Sequence, residues 1–301
     1  IYFWWQGRCL ARRERRHDVC AQPFGINTPD VFSFIFNIMA VVAKQRGHVD
    51  AYSAGLVANL MSGVVTIAVV PIGNWVKNHF PKPALFSALA GIAITFLAFG
   101  PFLNMYSTPF VSLVPTFVLL LLLFAKVELP GKCPAIIFQW VLSIAMGWLA
   151  RLIGGSIGAQ FAATTFAEWQ AQDSGFHLPS LAVRGLYQGF EVGLQYASVW
   201  LPLAVVAVAE IIINVSITHD VGKDPFSLRE TLVVNSATSF AGTLLGTPFP
   251  AVTFIGHPTF KELGGRTGYS LLQGVVLFLL AMFGGFTLLL TFIPQQAFYP
   301  M

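Results

Sequence analysis

Of 301 residues, 55% are hydrophobic and only 10% are charged, with 28 phenylalanines and a mean hydropathy of +0.71. That balance excludes a water-soluble globular protein and describes a polytopic membrane chain, because no interval carries enough charge to cover a soluble domain. The formal charge of +4 comes mostly from loop Arg and Lys, so it bears on topology and lipid head groups before nucleic acid.

The chain opens on IYFWW, read as the end of a span, and stops just after another apolar run, the pattern expected of an internal fragment of a longer protein. Arg8, Arg12, Arg13, Arg15 and Arg16 follow at a density expected of a cytoplasmic loop. Residues 22–39, QPFGINTPDVFSFIFNIM, then give Pro, Phe and a Gly-containing extended run before Thr28-Pro29-Asp30 opens an apolar helix. Proline at the first helical position and an acid in the first turn mark that start, and Asp30 reads there as a complement to the helix dipole.

Residues 52–70 form the next expected span, with Gly55, Ser62 and Gly63 suited to close helix contacts. After a cytoplasmic turn at 77–82, spans are expected at 86–102 and 110–124, an inside loop at 126–132, and a span at 135–153 with a Gly154, Gly155, Gly158 tail. The longest polar interval, 161–189, carries Glu168, Asp173 and His177 and is expected outside as an interfacial helix or lid. Residues 196–218 return to a cytoplasmic loop at 219–230, where His219 and Asp220 read as a solvated helix end. A span at 232–245 precedes a second interrupted element, and 271–293 is the last span. This path leaves only Lys44, Arg46, Arg151 and Arg184, of 17 Lys and Arg, away from the cytoplasmic side, as the positive-inside rule requires.

The second interrupted element, 246–268, reads GTPFPAVTFIGHPTFKELGGRTG. Pro248, Pro250 and Pro258 each remove a backbone donor, and 251–255 is a short β-branched and aromatic run expected to be extended. Gly256-His257-Pro258 then starts a short helix that Gly264-Gly265 ends. Unwound backbone at membrane depth is tolerated where protein buries it or it lines a polar cavity, and two such breaks in two halves of a chain point to a repeat-built transporter.

Glu210, within LPLAVVAVAEIIINVSIT, is the one carboxylate in the middle of a long apolar run. Inserting it charged costs about 2.5–3.5 kcal/mol, so it needs a partner, a wet cavity or a proton. Asn214, four residues on, shares its helix face. His257 is a cap, a substrate donor or a titrating group, and the sequence leaves the three open. Cys9, Cys20 and Cys133 have neither metal-ligand nor disulfide spacing, no His, Cys and carboxylate set has metal spacing, and no nucleophile elbow or phosphate loop occurs. No enzyme chemistry, metal or cofactor is therefore expected.

From QPFGINT through AVAEIIINV to GTPFPAVTFIGHPTF and GGRTG, the chain resembles the nucleobase/ascorbate permease family of xanthine, uracil and purine permeases, and GGRTG is most similar to its hypoxanthine-type branch. The resemblance implies an all-α membrane fold of two inverted seven-span repeats, with two broken spans containing short extended strands. It further implies core elements near 17–75 and 194–270 and gate elements near 83–153 and 271–301. On it, Phe24, Gly25, Ile26 and Asn27 match the first strand, and Glu210 and Asn214 the polar face of span eight. Thr253, Phe254, Gly256 and His257 match the second strand and the start of the half-helix after it. The chain departs from the family at Gly256, where many members carry a second glutamate.

These readings lead to an expected secondary-active transporter of a purine- or pyrimidine-like or other small polar solute in a bacterial inner membrane. A coupling proton or sodium ion, the lipid bilayer and a homodimer are the partners to consider, and nucleic acid is not. Two alternatives stand beside it: an anion transporter of the related sulfate-permease type and a non-transporting receptor. The missing acid at Gly256 leaves a half-helix N-terminus unopposed, which favours an anionic solute.

Overall fold

The computed structural model describes residues 1–79, 87, 90–91, 93–125, 129, 133–161, 163, 165–172 and 175–299. Most of the expected loop at 126–132, part of the 86–102 span and Asp173 lie outside these residues. The chain separates into two compact units, Ile1–Ala93 with Pro179–Val276, and Ile94–Leu178 with Leu277–Met301. The expected core elements at 17–75 and 194–270 both fall in the first unit, while the expected gate ranges straddle the divisions after 93 and 276.

The first unit is built from helices α1 (Tyr2–Glu14), α2 (Thr28–Phe34), α3 (His48–Val69), α4 (Val183–Gln195), α5 (Ala197–Asp220), α6 (Leu228–Leu244) and α7 (His257–Glu262), with strands β1 (Phe24–Ile26) and β2 (Ala251–Thr253). α2 continues through a π-turn at Ile35–Met39 into Ala40–Arg46. Both short helices start where the prolines predict, Asn27 capping α2 and Gly256 capping α7, each with Pro among the first two positions. Gly256 adopts φ 142°, a conformation that only glycine takes without strain, so an acid at this position would strain the backbone.

Three helices, His48–Val69, Ala135–Ile153 and Ala197–Asp220, are long and apolar enough to cross a membrane. Two bent pairs bring the total among the described residues to five if each is one span: Gly100–Ser107 with Pro109–Phe124, bent by 119°, and Gly268–Met282 with Gly285–Phe292, bent by 90°. The expected continuous span at 271–293 is thereby corrected, whereas 110–124 is helical throughout and the bend precedes it. Pro109 follows a non-helical Thr108 (φ −132°, ψ 58°) in the first pair, and Gly284 stands in the left-handed region at the second; both Pro109 and Gly284 break helices for backbone reasons.

Within the interval 161–189 a short helix is present at Phe166–Gln172, but α4 also starts inside it, which was not expected. Its Gly185, Gly189 and Gly193 recur every four residues and lie on α3. A methyl group on Gly189 would meet the Ser53 backbone at 2.4 Å, and one on Gly193 would meet Val57 at 2.5 Å. Such small residues at helical spacing let two backbones approach where apolar burial offers no drive. Gly55 and Gly63 of α3 serve other neighbours, Met39 with Pro248 and Phe240.

In the second unit, Ala135–Ile153 carries the awkward Arg151 at its end. The guanidinium lies 5.4 Å over Trp148 and 5.3 Å over Phe161, so cation–π contact and snorkelling accommodate it.

Candidate binding site at the strand crossing

β1 and β2 pair antiparallel, Phe24 opposite Thr253, Gly25 opposite Val252 and Ile26 opposite Ala251. Flanking prolines, which have no N–H, extend this ladder through their carbonyls: Asn27 N–H donates to Pro250 O at 2.9 Å and Phe254 N–H to Pro23 O at 3.1 Å. Such backbone pairing satisfies groups that would otherwise stand bare at membrane depth. Gly25 lets the Phe254 ring approach, since a methyl there would sit 3.3 Å from it.

Side chains from three helices fix the second strand and its approach. Asn235 of α6 accepts from Thr253 N–H through Oδ1 at 2.9 Å and donates to Thr231 O at 2.7 Å. Asn214 of α5 donates to Thr253 O at 2.6 Å. Asn59 of α3 donates to Thr247 O at 2.8 Å and Phe249 O at 3.1 Å, pinning the turn ahead of β2, and Tyr52 donates to Gly246 O. Neither Asn235 nor Asn59 stands out in the sequence, where each is a single polar residue in a helix with no pattern around it.

Glu210 and Asn214 do share one face of α5, both buried. Among the described residues the Glu210 carboxylate accepts no hydrogen bond from protein. Asn27 donates through Nδ2 to Asp30 at 2.9 Å, and Asp30, only 2% exposed, lies within electrostatic reach of Glu210. The dipole-complement reading of Asp30 therefore accounts for only part of its setting. The orphaned buried atoms here are the side-chain oxygens of Asn27, Asn214 and Thr253.

The remaining expected site residues are placed differently. Phe24 packs against Phe3 with centroids 5.1 Å apart, Ile26 is exposed, and Phe254 meets Phe260 edge-on at 6.4 Å. His257 turns away into a polar cluster: its Nε2 lies 3.1 Å from both Cys20 O and Asp224 Oδ2. Two acceptors at one nitrogen require Nε2 to carry the proton.

Asp224, with no exposed surface, is the centre of that cluster. It accepts from Cys20 N–H at 3.0 Å, Arg16 at 2.9 Å and Lys261 at 2.8 Å. Burial alone would raise its carboxyl, but the bonds from His257, the Cys20 amide and Lys261 hold it below the usual carboxylate range. The hydrogen bond from Arg16 likewise depresses Asp18. Burial pushes the Cys20 thiol up to about 11, which leaves it protonated and inert. His219 and Asp220 bond to each other at 2.9 Å in exposed positions, as a solvated helix end should.

Compared with known families, characterised proteins and solved structures, the chain matches none.

Proposed function

We propose that this protein is a secondary-active transporter whose small polar solute, of purine- or pyrimidine-like type, binds between the paired strands and the Glu210 face of α5. The observation that carries the reading is a two-stranded crossing, built from two broken segments, beside a buried carboxylate that no protein donor satisfies. A buried acid costs stability, and an unpartnered one reads as a functional group. The inverted seven-span repeat and the bacterial inner membrane belong to this reading, and the family resemblance supports both.

The polar atoms left over at the crossing bear on the choice of solute. Asn214 and Asn27 each commit one amide hydrogen to protein, and two amide oxygens without a protein partner stand with the Glu210 carboxylate as acceptors at the crossing. A site with surplus acceptors takes a solute that donates, such as a ring N–H or an exocyclic amine. This ranks a donor-bearing neutral base above the anionic solute that Gly256 alone would favour, since an anion would meet acceptors.

The test is uptake by proteoliposomes offered radiolabelled hypoxanthine, xanthine, uracil, sulfate and bicarbonate. Saturable uptake of at least one base, with none of either anion, is the expected result. Saturable sulfate or bicarbonate uptake would install the anion-transporter reading instead, and no uptake of any solute would favour a receptor.

A further inference from the structure

β2 belongs to a broken segment that is held from outside at both ends. After the strand, α7 is fastened by an ionic cluster, with His257 and Lys261 on Asp224. Before the strand, the turn at 246–250 is fastened by one face of α3. Tyr52, Gly55 and Asn59 recur on that helix at the spacing of a single stripe. Tyr52 donates to Gly246 O. Gly55 leaves room for Pro248, whose Cβ a methyl group there would meet at 3.0 Å. Asn59 donates through Nδ2 to Thr247 O at 2.8 Å and to Phe249 O at 3.1 Å.

The sequence of the turn explains why it needs this hold. Pro248 and Pro250 carry no N–H, and carbonyls at membrane depth must find donors in protein. The turn's own backbone bonds, from Gly246 N–H to Thr243 O and from Thr247 N–H to Gly242 O, tie it to the end of α6. They leave its carbonyls to other partners: Gly246, Thr247 and Phe249 to α3, and Pro250 to Asn27 N–H of the first broken segment. Asn59 has no exposed surface, yet its Oδ1 has no hydrogen-bond partner. A buried acceptor without a donor weakens the fold, so stability alone is a poor account of an asparagine here. Two donors aimed at two carbonyls of one turn are a better one.

We propose that Asn59 is a positioning residue for solute binding, which places β2 by holding Thr247 and Phe249 and so sets how Thr253 and Phe254 meet the solute. The solute part rests on the transporter reading. Asn59 acts only through the turn. Asn214 and Asn235 hold the carbonyl and amide of Thr253, so the strand stays formed when the turn is freed, and the loss falls on its placement. Because Pro250 O, next to the Phe249 carbonyl, accepts from Asn27, a misplaced turn also reaches the start of α2.

Two measurements on the full-length protein in lipid nanodiscs test this: hydrogen exchange over 246–256 read by mass spectrometry, and equilibrium binding of tritiated hypoxanthine, xanthine and uracil. In Asn59→Ala, exchange over 246–256 should rise at least about threefold. The Kd of the base that the native protein binds best should rise at least about tenfold. Asn59→Gln, which keeps both donors on a longer stem, should recover part of each loss. Ser62→Ala serves as the control, because Ser62 bonds only to Ala58 O of its own helix, and it should leave both readouts at native values. Unchanged exchange in Asn59→Ala, unchanged affinity despite raised exchange, or an equal loss of affinity in Ser62→Ala would overturn the proposal. If Asn59→Ala does not accumulate, Tyr52→Phe, which removes only the bond to Gly246 O, should raise exchange over the same residues, and native exchange there would overturn it. A native protein that binds none of the bases would refute the transporter reading; exchange alone then decides whether Asn59 holds β2 in place.

Discussion

Asp224 has no exposed surface and gathers donors from the segment ahead of β1 and from α7, so one carboxylate joins the approach to the first strand to the helix after the second. Its carboxyl lies below the ordinary range in the folded protein. A depressed folded-state value contributes stability that is fully present above the ordinary carboxylate range and is lost as pH falls through the depressed value. Melting of the native protein in detergent should therefore decline as pH drops below about 4, with Asp18 sharing in the decline because Arg16 holds it down too. Asp224→Asn should lower stability at neutral pH by about 3 kcal/mol, near the lower end for breaking a buried pair, because Arg16 and Lys261 keep Asp18 as a second partner. It should also flatten part of the acid decline. An unchanged melting temperature at pH 7 would mean that the cluster is not structural.

At the scale of elements, α3 and α4 touch through a glycine ridge, and the Gly189 position is its tightest point. Gly189→Leu should destabilise the first unit by about 1–3 kcal/mol or more, since the side chain meets backbone that cannot move aside as a flexible side chain would. Gly154→Ala, which meets no neighbour, is not a neutral control because its φ is 73°; Gly274→Ala, with open space in a helix, is. Equal melting of the Gly189 and Gly274 variants would contradict the packing described. The same elements show how far the chain can be read without its fold. Pro250, Pro258 and Pro29 remove donors at fixed places, so the breaks, the extended runs and both helix starts are legible. α4 is not, because Arg184 and Glu191 give its segment a polar look, and the glycine period that marks its packed face carries no apolar signal. The bend at Gly284 escapes for a related reason: hydropathy sums over a window and is blind to one backbone angle. Glu210 and Asn214 stand out as polar groups in an apolar run. Asn235, Asn59 and Asp224 do not, since what distinguishes them is which distant backbone atoms they reach.

At the scale of the molecule, three to five helices among the described residues are long and apolar enough to cross a bilayer, and among the same residues no metal-ligand cluster occurs. The buried polar groups of the first unit include those at the strand crossing and those of the Asp224 cluster, and the two differ in how fully they are paired. In the cluster, Asp224 is fully paired and Phe226 stands edge-on to the His257 ring at 6.1 Å, an arrangement that holds backbone in place. The crossing is left with the side-chain oxygens of Asn27, Asn214 and Thr253 unpaired, which is the basis of the proposed binding site. Removing the charge of Glu210 should therefore cost function without costing the fold, because replacing an unpartnered buried carboxylate by a neutral amide relieves desolvation and breaks no protein hydrogen bond. The decisive measurement is base uptake by proteoliposomes carrying equal amounts of native protein and Glu210→Gln, with melting temperatures recorded on the same preparations. Uptake should fall at least tenfold, equivalent to about 1.4 kcal/mol or more of lost interaction, at an equal or higher melting temperature. Native-level uptake by Glu210→Gln, or a loss of uptake that merely tracks a collapse in stability, would contradict a functional role for this carboxylate.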